Sequence, residues 1–482
     1  MNGNLDIGRK AIVGTLWLTA SNYINFVISF GSGIVLARIL MPSDFGMVAL
    51  AVSILALFQI LGAWGFDVAI IKEQEDVQRV ASTLLLLRII VSLLILVLIF
   101  IISVILRSLY AKKIITILLI IACIDTLRMI SHIPSALIQK SMLLKRDAII
   151  SLLAGSISSG VAIIMAVRGF GVWSLVFLQI TSSIVYFAAT FLLCPYKIRP
   201  RFDKRVIKDF FNFGKYFFMG NAAEIFLEKA DKIVVGTAVG SSILGLYNRG
   251  YTMSTMFEQW ISPSVKRASL PALSGTKEDN IRLSKAFTLL VRGITRAVVL
   301  FYLVTGLLAA EIIVLLYGKK WLGAVPFFRL LIAYAILSAI FEIHKILHFS
   351  LGDSKTVARA RIAQASFFLI TMVPFLHFWG ARGICVSLNI VVLIGVILLT
   401  TNVKRKLALS YFDIFGIPVV VGLVSVLVFI FLNSKIYIIG NLTRVMFYSV
   451  VLSMLFIGFS YMLEGKELKT DFQTVFTMLK RG

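Results

Sequence analysis

Apolar residues run along this chain in long, nearly unbroken stretches, each closed by a short polar break. The approximate stretches are 16–40, 46–71, 82–106, 114–134, 148–168, 171–194, 216–240, 246–270, 286–309, 324–348, 358–378, 383–403, 413–433 and 440–463. A helix of about 20 residues crosses the ~30 Å hydrocarbon core of a bilayer. Every backbone polar group must be satisfied in lipid, so only helices or closed barrels span it. Runs this long exclude the ~10-residue alternating strands of a barrel. The pattern predicts an all-α polytopic membrane protein with about fourteen transmembrane helices.

Connections are short and leave no room for a soluble domain. The longest lie around 195–215, around 270–285 and in the tail 464–482. The first mixes apolar and charged residues at helical spacing, from Val206 to Lys215, as an amphipathic helix on the membrane surface does.

Composition agrees with this picture. Of 482 residues, 59% are apolar and 15% charged, with a mean hydropathy of +0.96. A soluble domain is roughly 45–50% apolar and about 25% charged. Cys123, Cys194 and Cys385 are too few and too scattered for a disulfide framework or a zinc cluster. Lys and Arg outnumber Asp and Glu 48 to 23, a net charge of +25. In a chain this apolar that excess points to cytoplasmic loops facing anionic lipids, not to nucleic acid. With the N-terminus inside, cytoplasmic segments carry about three times the basic residues of the opposite loops. Both termini are therefore expected in the cytoplasm, and no cleavable signal is evident.

The chain repeats. Shifted by 199 residues, Ile34–Met47 falls on Ile233–Leu246, and Gly46 meets Gly245. A period of six spans keeps both halves in the same direction, a parallel repeat about an axis along the membrane normal. The expected division is a six-helix lobe over 1–196, a cytoplasmic amphipathic linker over 197–215 and a second six-helix lobe over 216–403. Two further helices over 404–463 and a cytoplasmic tail over 464–482 follow.

Ionisable groups in mid-span are costly and mark functional candidates. The first span carries Asn22, Asn25, Ser29 and Ser32 on one helix face, and the seventh carries Asn221, Glu224, Glu228 and Asp231 at the same spacing. Both stripes suit the lining of a wet cavity. They also suit helix–helix hydrogen bonding, and Glu228–Lys232 has i,i+4 spacing for a pair. Asp125, Arg128 and His132 share a face of the fourth span, either as a local ion pair or as a cavity cation with a titratable neighbour. Arg249 in Asn248-Arg249-Gly-Tyr251 reads as an interfacial anchor or as a bidentate ligand for an anionic head group. Arg38 carries the same two readings. Glu258, Gln259 and Trp260 follow on the same span. Arg292 and Arg296 either line a mouth or snorkel.

Weaker signals carry less. His344 and His348 have the spacing of a metal pair, but Lys345 intervenes and no third ligand accompanies them, so no metal is expected. Glu342 lies on the same span. Gly236-x-x-x-Gly240 fits small-residue packing, and Asn441-Leu-Thr443 is a lone sequon. No phosphate loop, nucleophile elbow or paired-carboxylate loop is present, so the chain is not expected to be an enzyme.

Several stretches together resemble bacterial polysaccharide transporters, the Wzx-like oligosaccharide flippases of the multidrug/oligosaccharidyl-lipid/polysaccharide (MOP) superfamily, in the exopolysaccharide or colanic-acid-type branch. They are Leu36-Ala-Arg-Ile-Leu-Met-Pro-Ser-Asp-Phe-Gly46, Trp64-Gly-Phe-Asp-Val-Ala-Ile-Ile71, Phe213-Gly-Lys-Tyr216 and Asp231-Lys-Ile-Val-Val-Gly236. Gly245-Leu-Tyr-Asn-Arg249, Tyr317-Gly-Lys-Lys-Trp321 and Gly380-Ala-Arg-Gly383 complete the set. The resemblance covers nearly the whole chain.

It implies two six-helix lobes in a V around a central cavity, working by alternating access in a bacterial inner membrane. It implies a polyprenyl-diphosphate-linked oligosaccharide as substrate, and other polysaccharide-assembly membrane proteins as neighbours. On that view Arg249, Arg128 and Arg38 are head-group candidates. Asn22, Asn25, Asn221, Glu224, Glu228, Asp231 and Asp125 line the cavity or couple transport to a proton or sodium gradient. No cofactor is implied. A drug or cation exporter and a lipid II-type flippase of the same superfamily are the nearest alternatives. A membrane polysaccharide polymerase is the alternative of another class; a structural scaffold would leave buried charges without purpose.

Overall fold

The apolar runs fold as helices, and the described residues contain no strand. The structure is a computed structural model that describes residues 2–259, 269, 273–274, 279–404, 416–435 and 440–481. Trp260, residues 270–272 and 275–278 of the 270–285 connection and the stretch 405–415 lie outside the described residues. Among those described, eleven helices are long and apolar enough to cross a membrane, against the fourteen expected.

The expected eighth span, 246–270, lies partly outside the described residues, and the other two differences have physical reasons. The expected eleventh and twelfth spans form one element, α14 (Ser354–Lys404), which bends sharply at Gly380. Gly380 has φ +58, a conformation that favours glycine. The expected seventh span is too polar to qualify. It belongs to α8 (Lys204–Val239), a continuous 36-residue helix. The amphipathic surface segment forms its first turns rather than a separate helix. Asp203 caps it, accepting from the Arg205 and Val206 amides, and pairs with Arg79 at 2.5 Å. The Arg79 hydrogen bond holds the Asp203 carboxyl below the usual carboxylate range. Gln78 and Ser82 of α4 (Val77–Leu106) also bind the Lys197 carbonyl and the Arg201 amide.

The second span is interrupted. α2 (Pro42–Gln59) runs into a single 3-10 turn at Ile60–Gly62, then Gly65 at φ +75, then the short α3 (Phe66–Lys72). The first and third to sixth spans are α1 (Asn2–Ile39), α4, α5 (Lys112–Lys140), α6 (Leu144–Val167) and α7 (Trp173–Leu193). α9 (Ser241–Ser254) follows α8.

The chain forms two compact units, 1–248 and 249–482. α8, which carries the seventh span, packs on α2, α3 and α4 within the first unit. In that unit α1 and α7 flank α6, and α5 lies against α4, α7 and α2. The second unit contains α10 (Asn280–Leu307), α11 (Ala309–Tyr317), α12 (Val325–Leu330) and α13 (Ile332–Ser350). It also holds α14, α15 (Ile417–Lys435) and α16 (Asn441–Arg481). α13 packs along α14 and α10, and α10 meets α15 and α16.

The internal repeat has a structural counterpart. A Cβ on Gly46 would stand 1.7 Å from the Ser241 carbonyl oxygen, and one on Gly245 would stand 1.8 Å from that of Pro42. Ser241 lies 199 residues after Pro42, as Gly245 does after Gly46. The contact is thus reciprocal, and the first turns of α2 and α9 cross backbone to backbone. Only glycine allows that approach. Gly46→Ala should destabilise the protein by about 1–3 kcal/mol, the usual cost of overpacking. Gly31→Ala, with nothing within 4 Å of the new methyl, should be neutral or stabilising. Thermal unfolding in detergent checks both.

Candidate functional site

The interruption of the second span frees backbone groups where no water competes for them. An unsatisfied buried carbonyl costs roughly 1–3 kcal/mol. Arg88 of α4 meets this need. Its Nη1 donates to the Gly62 carbonyl at 2.7 Å and its Nε to the Met129 carbonyl of α5 at 3.0 Å. Its guanidinium also lies 4.8 Å from the centre of the Phe66 ring. Asn221 of α8 donates to the Ala63 carbonyl at 3.2 Å. Lys140 closes the far end of α3, donating to the Ile70 and Ile71 carbonyls at 3.0 Å and also to that of Glu73. Trp64 stacks on Phe218, and its carbonyl fills the place of a side chain at Gly214.

A polar track runs down α5 beside this break. Asp125, Arg128, His132, Ser135 and Gln139 follow at spacings of 3, 4, 3 and 4, one helix face. Gln59 of α2 donates to Asp125 Oδ2 at 2.5 Å. His132 Nδ1 lies 3.8 Å from Asp67 Oδ2 of α3. Arg128 and Asp67 are exposed, while Asp125 and His132 are half-buried. The expected Asp125–Arg128–His132 face is therefore present, and α2, α3 and α4 extend it. Discontinuous helices with converging polar groups are where transporters place polar ligands.

The other candidates take different positions. In α1, Asn22 is exposed and Asn25 is half-buried against Gly155 of α6, its Oδ1 buried without a hydrogen-bond partner. Ser32 bonds to the Ser29 carbonyl at 3.1 Å, and Arg38 is exposed in the last turn. In α8, Asp231 is fully buried. Tyr247 donates to its Oδ2 at 2.6 Å, and Lys232 lies 3.5 Å from its Oδ1. Lys232 also donates to the Glu228 carbonyl at 2.7 Å, whereas the Glu228 carboxylate is exposed near Lys229, at 3.7 Å. Lys232 thus reaches the backbone of Glu228 and the carboxylate of Asp231. Glu224 is half-buried.

In the second unit Arg249 is held between aromatic rings, 4.6 Å from the centre of Tyr317 and 5.0 Å from that of Trp321. Both rings are buried. Gly250 presses α9 onto Ala324 and Phe327. Arg296 forms a buried ion pair with Glu464, where α16 kinks. Glu342 meets Lys345 at 2.5 Å and Arg361 at 3.3 Å. His344 bonds to the Ile340 carbonyl, and His348 to Asp353 and the Leu399 carbonyl. The two histidines are thus engaged separately. No group of three metal-ligating side chains is found among the described residues.

Sequence reasoning missed Arg88, Gln59, Asp147, Tyr186, Arg361 and Glu464. Arg88 had a signal: it is the one charge in the run Thr83–Phe100. The others needed the third dimension.

The fold is shared with solved transporter structures. The structure of the lipid II flippase MurJ, inward closed, matches with a TM-score of 0.78 at 14% identity, covering 94% of this chain and 100% of that one. An inward-facing multidrug resistance MATE transporter matches with a TM-score of 0.60 at 16% identity, covering 79% and 95%. Within that fold the chain belongs to the polysaccharide biosynthesis protein family, whose model matches residues 35–326.

Curated relatives include the succinoglycan biosynthesis transport protein ExoT of Rhizobium meliloti, 25% identical over 65% of this chain and 64% of that protein. The teichuronic acid biosynthesis protein TuaB of Bacillus subtilis is 28% identical over 58% and 59%. The lipopolysaccharide biosynthesis protein WzxC of Escherichia coli is 22% identical over 70% and 69%. The match therefore spans less than two thirds of ExoT and of TuaB.

Replacing Arg88 by Met keeps much of its volume but takes the side-chain donor from the buried Gly62 carbonyl. Arg88→Met should lower stability by about 2–5 kcal/mol. Arg128→Met, on the exposed side of the same track, should leave it nearly unchanged. Unfolding midpoints of the purified variants check this.

Proposed function

We propose that the protein is a flippase. It moves a polyprenyl-diphosphate-linked oligosaccharide from the inner to the outer leaflet of a bacterial cytoplasmic membrane for surface polysaccharide assembly. The observation that carries this reading is the polar track of α5. It presents an exposed cation, Arg128, on one face with half-buried His132, which lies near exposed Asp67 of α3. Membership of the polysaccharide biosynthesis family and the named roles of ExoT, TuaB and WzxC support the substrate class.

The physics of such a movement fits these groups. A sugar head group cannot cross hydrocarbon without replacements for its water hydrogen bonds. Carboxylate, imidazole and amide groups along one helix face supply them, while the polyprenyl tail stays in lipid. A guanidinium suits the diphosphate, because its planar donors bind phosphate oxygens in pairs. Outward movement of that anion also follows an inside-negative potential, worth roughly 2.3 kcal/mol per charge per 100 mV. The Lys/Arg distribution supports cytoplasmic termini.

Arg128 takes precedence over Arg249 as the head-group ligand, since aromatic rings flank Arg249. Arg128→Glu should lower surface glycan at least about tenfold. Lipid-linked intermediates should accumulate on the cytoplasmic side while the amount of protein in the membrane holds. Wild-type glycan export by this variant would remove Arg128 from the account.

A further inference from the structure

The lower end of the α5 track meets a carboxylate that the foregoing does not use. Asp147, in the first turn of α6, is 9% exposed. Gln139 Nε2 donates to its Oδ2 at 3.1 Å, and Ser135 Oγ stands 3.5 Å from its Oδ1. The Tyr186 hydroxyl of α7 donates to Ser135 Oγ at 3.1 Å. All of these partner groups are neutral.

Among the described side chains, the cations nearby are engaged elsewhere. On α6 itself, Lys145 stacks on Trp17 of α1 and Arg146 donates to the Leu193 carbonyl. On α5, Lys140 is held by α3 and His132 faces Asp67. Asp125 and Arg128 lie higher on that face, Lys112 and Lys113 at its opposite end. α7 carries no charged residue and Arg38 lies at the far end of α1, while the side chains of Asp6, Arg9 and Lys10 near its start lie outside those described. Asp147 does not cap its helix either; Leu143 is the N-cap residue, with no side-chain bond. The helix terminus favours a negative charge, but that effect is small beside the desolvation of a carboxylate.

We propose that Asp147, with Ser135, Gln139 and Tyr186, is a cation-exchange site that takes up and releases a proton or, by the same oxygen chemistry, a sodium ion. On protonation the new O–H donates to Ser135 Oγ or Gln139 Oε1, and on release the proton returns to water. No other bond changes. A sodium ion would find oxygen donors alone: the carboxylate, the Ser135 and Tyr186 hydroxyls and the Gln139 carbonyl. Ser135 and Gln139, which bind Asp147, lie on the same α5 face as Arg128 and His132, so the site continues the head-group track. The inference rests on the transport reading and names the coupling residue within it.

The test uses the full chain in lipid nanodiscs, comparing wild type, Asp147→Asn and Asp147→Glu by infrared difference spectroscopy during pH titration. A protonated-carboxyl band that rises and falls with pH is expected in wild type and Asp147→Glu, and is lost in Asp147→Asn. Loss of that band when Na⁺ replaces K⁺ at fixed pH assigns the sodium ion; no change assigns the proton alone. In cells, Asp147→Asn should lower glycan export about tenfold at equal protein level and unfolding midpoint, with Asp147→Glu retaining it. Spectra identical in wild type and Asp147→Asn, or full export by Asp147→Asn, would overturn the proposal. The band is read without any glycan. A protein that shows it yet moves no lipid-linked sugar therefore refutes the transport reading and leaves the cation site standing.

Discussion

One constraint organises the first unit: a helix broken inside an apolar bundle must have its loose backbone groups satisfied by protein. The break between Gln59 and Phe66 is stable because Arg88 of α4 and Asn221 of α8 reach its carbonyls, while Lys140 of α5 closes the far end of the α3 that follows. Each of those groups is itself costly to bury. Paired with carbonyls, they fix α4, α5 and α8 around the break. The polar track of α5 then lies beside it, and fully apolar faces turn outward, as at Ile90, Leu94, Val97 and Ile101 of α4.

The stretches by which the family is recognised turn out to be packing joints. Asp231 of one is bonded to Tyr247 of another. Trp64 packs its carbonyl against Gly214. Arg249 lies between Tyr317 and Trp321. Gly383, past the Gly380 bend, sits against the Phe375 carbonyl. Gly46 and Gly245 meet reciprocally through residues 42 and 241. A close backbone approach or a buried hydrogen bond tolerates few residue types, so these pairs are distinctive in sequence even where they bind no substrate.

This explains what was legible and what was not. Long apolar runs determine helices by length alone, so the helical, membrane-spanning class and most span positions could be read directly. The break in the second span could not, because Gly62 and Gly65 resemble ordinary small residues in an apolar run until Arg88 is seen to fill the gap. Periodicity found the face of Asp125, Arg128 and His132. It stopped short of Ser135 and Gln139, whose importance comes from Asp147 and Tyr186 on other helices. Periodicity also grouped Glu228 with Asp231 on one face, although one is exposed and the other fully buried. A shared face does not fix depth.

The proposed function is the passage of a large anionic, hydroxyl-rich head group past hydrocarbon while its tail remains in lipid. The most direct measurement is leaflet asymmetry in proteoliposomes holding the purified protein and a lipid-linked oligosaccharide, read with a membrane-impermeant sugar-oxidising reagent. The account predicts that the reagent reaches sugar initially in the inner leaflet, and that Arg128→Glu protein leaves it protected. Equal protection in protein-containing and protein-free vesicles, with the protein folded and inserted, would contradict it.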